Sequence, residues 1–381
     1  MKKNTYFIGT VWLFLLSCCS KVNATSENKY KITWLDQDNT ILKTTFVNEG
    51  EIPDYGETIH HYEDATGLYY FKDWNSELIP AYNDATYKAT YIENTDLFYC
   101  DERIKKGMTL FGFKTTESIN YIDDGVVRLP SKYQGSDIVT IGTFNGNQTI
   151  KEVIFPSTIK QCITETSIFF NFRNLRNIVI DEGNPYFAFS NHTLTTNDGK
   201  TLVTCLNTAS GTYHLNQNIT KIYSQSFDNC ENIDYFDTGS NSSFSSFEGI
   251  LIDNNRQSII TCPRAKSGQI SLPRTIVESD NAAFMFCTNI VSVTFSEGFK
   301  KMNASTFYGC AQLASVHLPT SLTSIDVSEF GQCVSLTRLQ YAGTMTQWNN
   351  IQKIQIDGLE LAWNSESSIK EIVCSDGIIS L

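Results

Sequence analysis

Five histidines (His60, His61, His192, His214 and His317) and eleven cysteines are the side chains best suited to chemistry in this 381-residue chain. A metal site needs several such groups to converge, and a thiol nucleophile needs a base within reach. His60 and His61 are adjacent, so on a strand they point to opposite faces. The other histidines are scattered along the sequence. A thiol nucleophile would have to lie off the repeat ladder described below, and Cys100 and Cys374 are the only loose candidates. Asp36, Asp38 and Asn39 open like a calcium loop, but the glycine and closing glutamate that such a loop requires are missing. They read instead as the tip of a hairpin. No Gly-x-Ser-x-Gly, His-Glu-x-x-His or phosphate-loop pattern occurs. The residue types therefore predict no enzyme, no cofactor and no metal.

The charge narrows the partners. Formal net charge is -12 and the isoelectric point about 4.9. Phosphate backbones and anionic lipid surfaces both require a basic footprint, so nucleic acid is excluded and so is simple electrostatic docking to membranes. The first residues, MKKNTYFIGTVWLFLLSCCS, place two lysines before an apolar run from Tyr6 to Leu16. That length suits an export signal. Leu15-Leu16-Ser17-Cys18 resembles a bacterial lipobox, which implies lipidation of Cys18. Cleavage after Val22-Asn23-Ala24 and a retained anchor are the competing readings. All three put the remaining chain outside the cytoplasm, so a cell-surface location is expected, with membrane contact only through an N-terminal lipid anchor.

Nine cysteines lie beyond this segment, without Cys-x-x-Cys or zinc spacing. Three of them, Cys287, Cys310 and Cys333, are 23 residues apart. They belong to a larger pattern. Phe284, Phe307 and Phe330 share the spacing, as do Ile290, Leu313 and Leu336, then Val293, Val316 and Leu339. Earlier units carry Phe144-Ile150-Val153, Phe169-Leu175-Ile178 and Phe227-Ile233-Phe236. The gaps from Phe169 to Phe227 and from Phe227 to Phe284 are 58 and 57 residues, about 34 beyond one period. Residues two apart, such as Val316 and Leu318, share one face of a short strand, and Pro319 ends that strand. One such coil buries too few side chains to offset its own ordering, so coils must stack. The cysteines become a ladder of small inward-facing side chains, expected to be free thiols. Parallel Cβ directions give poor geometry for bonding between coils.

These repeats are similar to the BspA-type leucine-rich repeats of bacterial surface proteins. Gly183 to Cys205, with a turn at Asn197-Asp198-Gly199, resembles the hairpin insertion of that family. Phe244 to Pro263 is a second copy, and the two account for the long gaps. Val126 to Gly142 is similar to the opening strand of such arrays. Tyr341 to Ile351 and Ile369 to Leu381 resemble their C-terminal end. The N-terminal stretch YKITWLDQDNTILKTTFVNEGEIPDYG alternates apolar and polar residues, with Ile32, Trp34, Ile41 and Phe46 as the expected inward set. With its continuation to Glu93 it resembles the internalin-type β-grasp repeat. The expected organisation is a processing segment at 1–24, a β-grasp domain at 29–94, a linker or closing hairpin at 95–110, and a leucine-rich-repeat domain at 111–381. The fold class is mainly β, a parallel solenoid preceded by a small β-grasp domain.

The surface is what remains for function. The side chains between buried pairs on the repeat strands should form a concave sheet face. They include Tyr235, Asp237, Ser315, His317, Arg338 and Gln340. This mixture of polar groups with a few aromatics suits recognition of a protein or glycan on another cell or on matrix. The sequence thus predicts a surface adhesion or binding protein. A passive envelope spacer and an enzyme-associated recognition module are the alternatives.

Overall fold

The computed structural model describes residues 28–59, 61–64, 68–104, 107–115, 118, 122, 125–144, 148–163, 167–169, 172–326, 328–354 and 367–381. The expected processing segment with Cys18 lies outside these residues, as does His60. Apolar residues alternating with polar ones produce short strands, and the described residues contain only two brief helices, Asn94–Leu97 and Met345–Asn349. They divide into two compact units. The first draws its described residues from Met1–Glu57 and Asp73–Thr90, the second from Thr58–Lys72 and Tyr91–Leu381.

In the first unit, strand Lys29–Leu35 pairs antiparallel with Ile41–Asn48 and parallel with Ala85–Glu93. Ile32, Trp34, Ala81 and Tyr87 form its core. The Trp34 ring lies 4.5 Å from Trp74, 5.3 Å from Tyr87 and 5.5 Å from Tyr55. Ile32 and Trp34 point inward, whereas Ile41 and Phe46 are 62% and 66% exposed. Register explains this correction. Residues directly opposite in an antiparallel pair share a face. Phe46 stands opposite Lys31, and Ile41 opposite Leu35 beyond an irregularity at Trp34/Leu35. The inward places go to Thr45 and Lys43, opposite Ile32 and Trp34. The Trp34 indole donates to Thr45 Oγ1 at 2.9 Å, so a polar residue there completes the core.

The second unit is a stack of coils, each giving one strand to each of two rows of parallel strands. The two insertions cut this stack into three blocks. In the first block, Val126–Arg128, Glu152–Phe155 and Asn177–Ile180 form the first row; Gly107–Phe113, Ser136–Ile141 and Gln161–Cys162 form the second. Phe98–Ile104 runs antiparallel to Gly107–Phe113, so the segment expected as a linker or closing hairpin is strand-forming and pairs onto the array. The middle block opens with the hairpin Phe187–Ser190 and Thr193–Thr196. It continues with Thr201–Cys205 and Lys221–Ile222 in the second row, and Ser210–His214 and Asn232–Asp237 in the first. The last block opens with Phe244–Phe247 and Ile250–Asp253. Its second row runs from Ser258–Thr261 to Gln352–Ile354, and its first row from Gly268–Ser271 to Glu371–Cys374. Strand Gly377–Ser380 closes that first row antiparallel.

Each insertion starts with a two-residue turn whose central residues are both left-handed: Asn191 and His192, then Glu248 and Gly249. Such turns match the natural twist of a hairpin. Asn197-Asp198-Gly199 is the next turn along, between Thr193–Thr196 and Thr201–Cys205. Three hydrophobic cores follow the blocks, spanning Leu68 to Leu206, Leu202 to Leu251 and Ile250 to Cys374. Return turns link successive coils through a further ladder: Phe284 N donates to Thr306 O at 2.8 Å, and Phe307 N to Glu329 O at 3.0 Å. Across the first break, Ser167 N donates to Ser224 O at 2.8 Å.

Candidate binding surface

Within this frame the ladder cysteines pack inside the coils. Cys287, Cys310 and Cys333 are fully buried and free. The Cys310 thiol donates to Phe284 O at 3.0 Å and the Cys333 thiol to Phe307 O at 2.9 Å, each reaching one coil back. Burial pushes the Cys310 thiol well above its ordinary value. It also lifts Cys100 to about 12, so that thiol is not a ready nucleophile. Asp38 Oδ1 accepts from Thr40 N at 2.9 Å, the local bond of a hairpin tip.

The last block brings four of the expected surface residues together. Ser315 and His317 alternate with buried Val316 and Leu318, and Arg338 and Gln340 with buried Leu339 and Tyr341. Register sets them in lines across the sheet. Thr294 stands beside His317, His317 beside Gln340, and Gln340 beside Val373. Ser292 stands beside Ser315, and Arg338 beside Glu371. Ser315 Oγ and His317 Nε2 are 3.0 Å apart, which fixes the imidazole. Arg338 Nε lies 2.7 Å from Glu371 Oε2, so its charge is balanced within the face. Glu371, Val373 and the 55% exposed Ile378 were missed from the sequence. They belong to the closing hairpin, which departs from the 23-residue spacing used to find the face.

Tyr235 and Asp237 lie elsewhere, on Asn232–Asp237 in the middle block, whose first-row partner is Ser210–His214. Tyr235 is 43% exposed. Asp237 accepts from Gly239 N at 2.9 Å and faces His214 Nδ1 at 2.9 Å. The Gly239 amide, then His214, hold its carboxyl below the usual range. The six expected residues therefore form two separate patches. The first is a flat polar face on the last block, and the second a smaller aromatic and acidic one. Among the described residues, no three histidine, cysteine or carboxylate side chains converge for a metal.

Comparison with known proteins bears on the array. The sequence matches the BspA type leucine rich repeat region in six copies, over residues 132–249 and 246–352. No curated protein matches it. Among solved structures, it is similar to the pneumococcal vaccine antigen PcpA, with 13% identity over 74% of this chain and 81% of that one, at a TM-score of 0.42. A leucine-rich repeat protein from Eubacterium ventriosum is similar at 14% identity over 73% and 76%, with a TM-score of 0.41.

Proposed function

Since the chain belongs to the family of BspA-type leucine-rich-repeat proteins, we propose that it is a cell-surface binding protein that recognises a protein or glycan of another cell or of matrix through the polar face of its last block. The observation that carries this reading is the alignment of Thr294, His317 and Gln340 across neighbouring strands. Side chains held at strand spacing on a hydrogen-bonded sheet lose little freedom on association, so modest contacts yield usable affinity. The charge balance of Arg338 with Glu371 leaves the face polar without a strong field, which fits short-range recognition better than electrostatic capture.

Two further parts belong to the proposal. Cys18 carries the lipid that holds the chain at a bacterial membrane, a reading supported by the Ser17-Cys18 junction after the apolar run. The first unit is a β-grasp module. Its support is the sheet order Ile41–Asn48, Lys29–Leu35, Ala85–Glu93, in which the last two strands run parallel. The test is adhesion of beads coated with the whole chain to epithelial monolayers and to matrix-coated surfaces. Beads carrying the wild type should adhere. Beads carrying His317→Ala with Gln340→Ala should adhere several-fold less at unchanged thermal stability. Equal adhesion by the two proteins would refute the assignment to this face.

A further inference from the structure

The second insertion breaks the second row and leaves a cavity at the break. Lys221–Ile222 pairs with Thr201–Cys205 on one side only. The next second-row strand, Ser258–Thr261, pairs instead with the insertion hairpin and with Glu278–Ser279. Between these edges lies a cavity of about 310 Å³. This is at the small end of ligand-sized pockets, which run from about 300 to 1,000 Å³. It opens to solvent, since Thr220, Ser224, Arg256 and Asn281 on its wall are exposed.

The wall chemistry is specific. Arg256 NH1 and NH2 donate to the two carboxylate oxygens of Asp280 at 2.7 and 2.8 Å, and its Nε donates to Asp253 Oδ2 at 2.9 Å. Ser258 Oγ donates to Asp280 Oδ1 at 2.7 Å. Three of the five guanidinium donors are thereby committed, and the remaining two are held in a fixed plane. The four charged residues of the wall, Lys221, Arg256, Asp253 and Asp280, balance to zero. The side-chain amides of Gln225 and Asn281 have no hydrogen-bond partner among the described residues, and both line the cavity. Phe244, Ile222 and Ile260 supply apolar surface beside them.

We propose that this cavity is a subsite for a single neutral sugar residue of a glycan. A sugar hydroxyl both donates and accepts, and amides and paired carboxylates offer both roles at close spacing. The C–H faces of the ring can lie against the apolar part of the wall. Other occupants fit less well. An anion would meet two carboxylates and an arginine whose charge they already neutralise. An added peptide strand needs a longer edge than the two residues of Lys221–Ile222. A lipid chain would strip water from the polar wall without replacing its hydrogen bonds. This site lies apart from the polar face on the first row, and the inference stands without it.

The test is a printed array of neutral and acidic glycans probed with the whole chain, followed by saturation-transfer NMR on the neutral methyl glycoside of the terminal sugar of the strongest ligand. Binding to one or more neutral glycans is expected, with saturation of the sugar ring protons. Gln225→Ala with Asn281→Ala removes two hydrogen-bonding side chains and should weaken it about tenfold. His317→Ala with Gln340→Ala should leave sugar binding unchanged. Melting temperatures of both double variants should match the wild type, which separates lost contacts from lost folding. Binding confined to acidic glycans, no binding to any glycan, or full affinity in the Gln225/Asn281 variant would each overturn the proposal.

Discussion

The buried ladder of the last block holds two residues with opposite consequences. Cys310 fills a small inward position and donates a weak hydrogen bond, whereas Leu313 is wholly buried and bulky. Cys310→Ala should therefore cost little in a urea titration. Leu313→Ala should cost about 2–5 kcal/mol through the cavity it leaves. Glu329 is the less expected residue. It occupies the place taken by Thr306 one coil earlier, accepts from Thr306 N at 2.9 Å through Oε2, and leaves Oε1 buried without a partner. Burial raises its carboxyl well above the ordinary 4.5, against the smaller opposing pull of the Thr306 hydrogen bond. The folded chain then holds a proton that the unfolded chain releases, so stability is fullest below the unfolded value and falls as pH rises toward the folded one. Melting temperature should decline as pH rises above the unfolded value of about 4.5 in the wild type, and the decline should be shallower in Glu329→Gln. Identical profiles would show that Glu329 is not the source. Nothing in the sequence marked this position, because a glutamate before a phenylalanine reads as surface until the coil is stacked.

At the scale of elements, spacing carried the reading well where one pattern repeats. The inward sets of the repeat strands, the cysteine ladder and both insertions were legible because each follows from a fixed period or a departure from it. Register between non-repeating strands was not. Ile41 and Phe46 looked inward by alternation alone, but the pairing of Phe46 with Lys31 decided their face. The candidate surface was legible to the same degree: the lines through Ser315, His317, Arg338 and Gln340 follow the period, while Glu371 lies off it. The second insertion hairpin turns on Glu248 and Gly249, with Gly249 at φ +84°. A Cβ there would come within 2.6 Å of the Tyr235 ring. Gly249→Ala should thus destabilise the chain by about 1–3 kcal/mol, from backbone strain and from the clash. Differential scanning calorimetry would show this, and Gly183→Ala, where a Cβ meets nothing within 4 Å despite its left-handed backbone, separates the two contributions.

For the whole repeat unit, the sequence called for stacked coils interrupted by two insertions. A period can reveal an insertion but not whether the strands on either side still pair. They do not: Asn177–Ile180 ends one first-row sheet, and Asn232–Asp237 ends the next. Coupling across the breaks falls to return-turn bonds such as Ser167 to Ser224 and to contact between neighbouring cores. In a linear array, stability is the sum of coil and neighbour terms, so weaker neighbour terms mark boundaries. Native-state hydrogen exchange should find the last block opening as its own unit. Leu313→Ala should speed exchange from Gly268 to Cys374 and leave amides of Val126–Ile180 unchanged. Uniform acceleration throughout would mean that the breaks carry no weakness.

Those interrupted ladders also have a mechanical side. Strands joined by lateral hydrogen bonds peel one rung at a time when the chain is drawn out lengthwise, and a missing rung is where peeling pauses or restarts. With breaks after Asn177–Ile180 and Asn232–Asp237, pulling would lengthen the array in stages rather than in one release. A protein held at a surface and loaded by flow could then yield part of its length while the remaining blocks, and whatever they grip, stay intact.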